Sequence, residues 1–227
     1  MKWEGAIVPI EKAEKSINWK EIENYIHNNI EALPDERMEV KKFTEGYSNL
    51  TYMIKIGDWE AVLRRPPFGY TPPKAHDMER EFKVLEKVHP VFPLAPKPYM
   101  YCEDSKIMDK HFYIMEKRTG VVIDDELPQA YEQNEKTGKQ ISEAVIRALV
   151  DLQKIDVNQA GLNYLGKPEG YLNRQVHGWI KRLKESKTND INFSGDIEKW
   201  LINNIPKNNE ISIVHNDFKL NNILNYS

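Results

Sequence analysis

Cys102 is the only cysteine in the 227-residue chain, which excludes an internal disulfide and fits a reducing compartment, the cytoplasm. Its neighbours Tyr99-Met100-Tyr101 are apolar and aromatic, so a buried structural thiol is expected and not a nucleophile. No apolar run approaches the roughly 20 residues that a membrane span needs. Met1-Lys2-Trp3-Glu4 leads into no apolar segment of a secretory leader. Charge of one sign is also lacking: 32 Lys and Arg stand against 35 Asp and Glu, and a net charge of −3 argues against a generic nucleic-acid binder. Repeats at solenoid periods and low-complexity tracts are missing. What remains, 40% hydrophobic and 30% charged, is the composition of a soluble globular protein with length enough for one large domain or two lobes.

The first third alternates between one helix and a run of strands. Trp19, Ile22, Ile26 and Ile30 lie on one helical face, Asn18 is positioned to cap that helix, and Leu33-Pro34 ends it. This accessory helix closes a segment over residues 1–35. Val40–Phe43, Leu50–Ile56 and Trp59–Arg64 read as strands, joined by a turn at Glu45–Asn49 and by the two-residue hairpin signal Gly57-Asp58. Pro66 to Pro73 carries four prolines and is expected to be an irregular loop. A helix follows over Ala75–Val88, with Met78, Phe82, Leu85 and Val88 on its apolar face. At about 100° per residue Glu81 falls on that same face. A carboxylate aimed into an apolar interface needs a cation, and Arg64 at the end of the preceding strand is the nearest by topology. Lys97–Cys102 and His111–Glu116 complete an expected five-stranded antiparallel sheet with one helix across it.

Lys117-Arg118-Thr119-Gly120 is the expected boundary, beyond which the pattern becomes helical. Helices are expected over Gly138–Ile155, Tyr171–Leu183 and Ile197–Ile205. The run Ile211–Val214 then delivers His215-Asn216-Asp217, and Asn222 follows the Asp by five positions. That spacing matches the kinase catalytic loop, where the Asp orients an attacking hydroxyl and takes its proton, and the Asn ligates a metal. Taken alone, the triplet is equally compatible with a polar loop in an Asn-rich chain. The order of parts upstream tips the balance: a Gly-turn between strands, a strand ending in a cation, a helix with an inward Glu, then a strand leading to a hinge.

With those parts in place the chain resembles the aminoglycoside/choline-kinase-like phosphotransferases, and within them the subgroup also found fused to acyl-CoA dehydrogenases. The resemblance rests on Gly46-Tyr47-Ser48-Asn49-Leu50-Thr51-Tyr52, Val62-Leu63-Arg64-Arg65-Pro66-Pro67, Arg80-Glu81-Phe82, Phe112-Tyr113-Ile114-Met115-Glu116 and His215 to Asn222. It implies an α+β, two-lobed protein-kinase-like fold, with a nucleotide-binding lobe over 1–117 and a helical, incomplete second lobe over 118–227. It implies transfer of the ATP γ-phosphoryl group to a hydroxyl of a small molecule, with Mg²⁺ and with neither nucleic acid nor membrane as partner. Asp217 would be the catalytic base or hydroxyl orienter, Lys219 a cation facing the transferring group, and Asn222 a Mg²⁺ ligand. Arg64, held by Glu81, would contact the phosphates; the backbone of Gly46, Tyr47, Ser48 and Asn49 would cover them; Met115, Glu116 and Lys117 would face the adenine.

The sequence departs from the family in four ways. Arg64 stands where most protein kinases have Lys, and offers a planar fork in place of a point charge. The phosphate loop has one glycine. Asn216 replaces a small Gly, and if that position needs φ > 0 then Asn is the least costly substitute. No second metal-binding Asp can be assigned after Asn222, which alone makes a poor Mg²⁺ site. A nucleotide-binding pseudokinase, or an inactive fragment of a longer phosphotransferase, are therefore the rival expectations. The remaining histidines, His27, His76, His89, His111 and His177, have no ligand spacing and are expected in surface or capping roles, and His215 as a brace of its loop. Asp124-Asp125-Glu126 reads as a solvated turn or an acidic entrance.

Overall fold

The structure is a computed structural model that describes residues 7–8, 17–43, 49–70, 76–129, 131–186, 195–207 and 210–225. Its first compact unit comprises residues 1–155 and 214–227, and its second comprises residues 156–213. The expected lobe boundary after residue 117 falls inside the first unit.

The first unit is built on a six-stranded antiparallel sheet. Its strands are β1 (Ile7–Val8), β2 (Glu39–Phe43), β3 (Leu50–Ile56), β4 (Trp59–Arg65), β5 (Pro98–Cys102) and β6 (Phe112–Glu116), in the spatial order β1-β2-β3-β4-β6-β5. The five expected strands are all present, and the two-residue β1 adds an edge beside β2. At the β3–β4 hairpin Ile56 faces Trp59 across Gly57-Asp58. Gly57 has φ +55°, and a Cβ there would lie 2.7 Å from Glu36 Oε1 and 2.9 Å from Pro34 Cβ, so the turn requires glycine twice over.

The two faces of this sheet carry different contents. Residues opposite one another in an antiparallel pair share a face. Tyr52, Ile54, Ala61, Leu63, Phe112 and Ile114 form the larger core with Ile22 and Ile26 of α1 (Trp19–Asn29). Each of those two isoleucines is fully buried and contributes about 1.5–3 kcal/mol of apolar transfer. Asn18 caps α1, its side chain accepting from Glu21 N–H. Cys102 sits in the same core, and burial pushes its thiol upward from its ordinary value, as suits a structural residue. The opposite face holds Phe43, Met53 and Val62 with Met115 packed on them, and beyond Val62 it carries Arg64 opposite Tyr113.

Helix α2 (Met78–Val88) starts at Asp77, whose side chain accepts from Arg80 N–H at 3.0 Å. It lies on the Arg64 face: Phe82 stacks on Tyr101 and leans on Tyr113, with centroids at 5.8 and 6.3 Å. The strand β7 (Val121–Val122) pairs with β8 (Leu224–Asn225), so the segment after the sheet is stitched to the far side of the catalytic-loop stretch. The long helix α3 (Glu135–Gln153) begins three residues earlier than the periodicity predicts, because Asn134 caps it on Thr137 N–H. Of its apolar face only Leu152 is buried, and Ile146 and Val150 on its other sides are exposed. In the second unit α4 (Tyr171–Glu185) and α5 (Gly195–Asn203) are joined by Lys184 and Glu198 at 2.6 Å. The apolar run Ile211–Val214 forms no strand.

Candidate functional site

Arg64 and Glu81 meet as the strand end and helix phase predict. Nε of Arg64 lies 3.1 Å from Oε2 of Glu81, with both side chains about one-third exposed (34% each). The contact is an ion pair and not an aligned hydrogen bond, for the Arg64 Nε–H has no hydrogen-bond partner. Glu81 is held from two further directions. The Tyr113 hydroxyl donates to Oε2 at 3.0 Å and the Asn49 amide donates to Oε1 at 3.3 Å. Burial raises Tyr113 well above the ordinary phenol value; Arg64 opposes that shift and Glu81 adds to it. The phenol therefore stays a donor to the carboxylate. Asn49 also receives His76, whose Nδ1 lies 2.5 Å from its Oδ1.

Next to this cluster, Arg65 points the other way along the strand. It is fully buried, pairs with Asp109 through Nη1 at 3.0 Å and Nη2 at 3.3 Å, and lies 4.2 Å over the Phe68 ring. The alternation of a strand separates the two arginines: Arg64 lies one-third exposed beside Glu81, and Arg65 holds Pro66 and Phe68 on the other face.

At the hinge, the side chains of Glu116 and Lys117 are tied down. Glu116 Oε2 lies 3.1 Å from Arg118 Nε and accepts from Lys97 N–H at 3.0 Å. Lys117 Nζ lies 2.5 Å from Glu60 Oε2. Met115 belongs to the apolar patch with Phe43, Met53 and Val62, on Arg64's face of the sheet. An apolar slab beside a cation suits a planar base followed by phosphates. Gly46, Tyr47 and Ser48 lie outside the described residues.

The catalytic-loop stretch folds back on itself. Asn222 Nδ2 donates to the Asp217 carbonyl at 2.9 Å and to its Oδ2 at 2.8 Å. Lys219 Nζ lies 3.6 Å from Asp217 Oδ1. Asp217 is exposed, its side chain at 65%. Asn216 has φ +67°, so the position does require the left-handed backbone that Asn tolerates. His215 braces the loop, its Nδ1 accepting from Asp217 N–H at 3.4 Å and its ring meeting Phe218 edge-on. Asp124, read as part of a solvated turn or acidic entrance, is exposed, as are Asp125 and Glu126, and it also accepts from Asn221 Nδ2 at 2.9 Å. Gly120 permits this docking, since a Cβ there would lie 2.8 Å from Leu224 Cβ.

No group of three or more His, Cys, Asp or Glu that could enclose a metal ion occurs among the described residues. The donors at hand are the Asp217 carboxylate and the Asn222 amide oxygen. That is too few for a caged metal, yet hard oxygens of this kind suit Mg²⁺, which takes one or two protein ligands and completes its shell with phosphate oxygens and water. No helix among the described residues is long and apolar enough to cross a membrane.

Tyr113, His76 and Asp124 are the contacts that sequence reasoning missed. Each joins residues far apart in the chain, and no local pattern signals them.

A profile described as the phosphotransferase enzyme family matches residues 39–225. Human acyl-CoA dehydrogenase family member 11 is 32% identical over 209 residues, which is 90% of this chain and 26% of that protein. Mouse acyl-CoA dehydrogenase family member 10 is 32% identical over 187 residues, 82% of this chain and 17% of that one. The chain thus spans about a quarter or less of the curated relatives it matches. A crystal structure from Ralstonia eutropha JMP134, described as that of a candidate aminoglycoside phosphotransferase, superposes with a TM-score of 0.77 at 27% identity. The match covers 91% of this chain and 60% of that one. The fold is the kinase-like phosphotransferase fold.

Proposed function

Because the chain belongs to the phosphotransferase enzyme family, we propose that it carries the nucleotide side and catalytic loop of an ATP-dependent small-molecule kinase. The observation that carries this reading is the Arg64–Glu81 pair, braced by Asn49 and Tyr113. It places a guanidinium that is paired with Glu81 and still one-third exposed beside an apolar patch, which is the arrangement that a nucleoside polyphosphate needs.

In this reading the base lies against Phe43, Val62 and Met115, and the hinge through Lys117 fixes its edge. The phosphates run toward Arg64, and Gly46, Tyr47 and Ser48 keep the phosphate-covering role that the family resemblance gives them. The acceptor hydroxyl sits at Asp217: its oxygen bonds to the γ-phosphorus, its proton passes to the Asp217 carboxylate, and ADP leaves with the electrons of the broken P–O bond. Lys219 offsets negative charge on the group in transit. Asn222 is the side chain that would hold Mg²⁺, which when bound would neutralise phosphate charge. Catalysis of this kind rests on positioning and charge, so the rigid clasp of Asn222 on Asp217 counts for more than any shift in acidity.

The acceptor is a hydroxylated small molecule. The names of the dehydrogenase relatives favour a hydroxylated acyl metabolite over an antibiotic. The soluble, cytoplasmic setting read from composition belongs to the same proposal. The test is release of ADP from Mg·ATP across hydroxylated acyl, sugar, amino-alcohol and aminoglycoside acceptors. Acceptor-dependent ADP release is expected. Saturable Mg·ATP binding with no turnover on any acceptor would instead support the pseudokinase reading, and no binding would remove both.

A further inference from the structure

Three non-glycine residues among those described have positive φ: Ala32, His76 and Asn216. Asn216 belongs to the catalytic loop already described. His76, at φ +58°, sits immediately before Asp77, the N-cap of α2. A residue with a Cβ rarely adopts this backbone, and where it does the surroundings over-determine it. Here the turn swings the half-buried imidazole back onto Asn49, 27 positions earlier.

The chemistry of that contact has only one consistent assignment. Glu81 can only accept, so Asn49 presents its amide nitrogen to Glu81 Oε1 and its Oδ1 to His76. Oδ1 is an acceptor, so His76 Nδ1 must carry a proton. Asn49 itself is 9% exposed, which leaves its amide little freedom to find water in place of either partner. A chain of contacts therefore runs from His76 Nδ1–H through Asn49 to Glu81 and on to Arg64, with the Tyr113 hydroxyl closing it on the opposite oxygen. Without the imidazole, the Asn49 amide can rotate, and one of the two anchors on Glu81 loosens.

We propose that His76 is a positioning residue: protonated on Nδ1, it fixes the Asn49 amide, which fixes the Glu81 carboxylate that holds Arg64 in place. The inference deepens the reading of Arg64 as a phosphate contact and rests on it. His76 touches neither nucleotide nor acceptor in this scheme; it acts through Asn49. One residue thus supplies both the turn into α2 and the brace on that helix's Glu81.

The test uses two variants. His76→Gly removes the ring and suits the left-handed backbone. His76→Asn tolerates the same backbone and places an amide N–H where Nδ1–H stands. Alanine is avoided, because it keeps a Cβ at φ +58° while losing the contact that holds the backbone there. At about pH 8.5, where a free imidazole is neutral, nitrogen-15 NMR of the wild type is expected to find the His76 ring protonated on Nδ1. The Arg64 Nε–H signal is expected to move in His76→Gly and to return in His76→Asn. Mg·ATP affinity is expected to fall about fivefold in His76→Gly and to stay within about twofold of wild type in His76→Asn, the size of one net hydrogen bond.

A wild-type ring protonated on Nε2 alone overturns the proposal, whatever the variants do. So does an Arg64 signal unmoved in His76→Gly, or equal weakening of both variants. Wild-type protein that does not bind Mg·ATP counts against the proposed function, while the two NMR readouts still decide the relay.

Discussion

Asn222 holds Asp217 by two hydrogen bonds at once, one to its carbonyl and one to its carboxylate, at 2.9 and 2.8 Å. The double grip fixes both the backbone and the side chain of the residue proposed to receive the acceptor's proton. Asn222→Ala releases both. We expect phosphoryl transfer to slow by about 10–100-fold, the cost of losing a group that orients a ligand or catalyst. Rate of ADP release against Mg·ATP concentration is the check. A variant with wild-type rate would take the clasp out of the mechanism.

Glu81 is the point where polar contacts of the sheet and α2 converge, and its removal leaves three partners behind: Arg64, Asn49 and Tyr113. Glu81→Ala strands the Tyr113 hydroxyl, which is buried, and the Asn49 amide. A loss of about 2 kcal/mol is expected from those unpaired groups. Tyr113→Phe removes one donor only and should cost about 1 kcal/mol, or roughly 2–4 °C in melting temperature. Urea denaturation of the two variants and the wild type ranks them. Equal stability of Glu81→Ala and wild type would mean that water replaces the network without cost.

Much of this arrangement is legible in sequence, and the reason is local periodicity. Strands β2 to β6 announce themselves by alternation and by the Gly57-Asp58 turn, and the phase of α2 puts Glu81 on its apolar face before any coordinates are known. Asn216 is legible for the same reason, since one residue's backbone preference is a local property. The contacts of His76, Tyr113 and Asp124 are not, because they bridge 27, 32 and 97 positions. The exposure of Asp124-Asp125-Glu126 follows from their charge, but nothing in that pattern signals that Asp124 accepts from Asn221. The two adjacent arginines show the limit from the other side: alternation says that Arg64 and Arg65 diverge, but only Asp109 and Phe68 reveal which one is the anchor.

Alkaline pH should loosen the α2–sheet contact. Burial first, and then Glu79 and Glu103, push Tyr101 up to about 12, and burial raises Tyr113 as well. A folded value above the unfolded one, near 10, means that the fold favours the protonated phenol. Its contribution to stability is complete below about pH 10 and is lost as pH rises toward about 12. The free energy of unfolding should therefore be level up to about pH 10 and fall beyond it, less steeply in Tyr101→Phe. Urea titrations at several alkaline pH values, with tyrosinate absorbance followed in parallel, measure both. A slope that Tyr101→Phe leaves unchanged would assign the loss to other groups.

Gly120 sets how closely the hinge segment approaches the end of the catalytic-loop stretch. A Cβ at this position would meet Leu224 Cβ at 2.8 Å and the Asn225 carbonyl oxygen at 3.1 Å. Gly120→Ala is expected to part β7 from β8 and to cost about 1–3 kcal/mol if the two hold together. Hydrogen exchange at Leu224 and Asn225 should speed up, with the β3–β4 hairpin unaffected. Unchanged protection at those amides would show that the pairing absorbs the methyl group.

The most direct measurement is calorimetric titration of Mg·ATP into the wild type, Arg64→Ala and Asp217→Ala. One saturable site is expected in the wild type, with affinity lower by about tenfold or more in Arg64→Ala, the loss of a charge-assisted phosphate contact. Asp217→Ala should bind within about threefold of wild type while transferring no phosphoryl group, because its part is played at the acceptor. Arg64→Ala binding as tightly as wild type, or Asp217→Ala turning over at near-normal rate, would contradict the account.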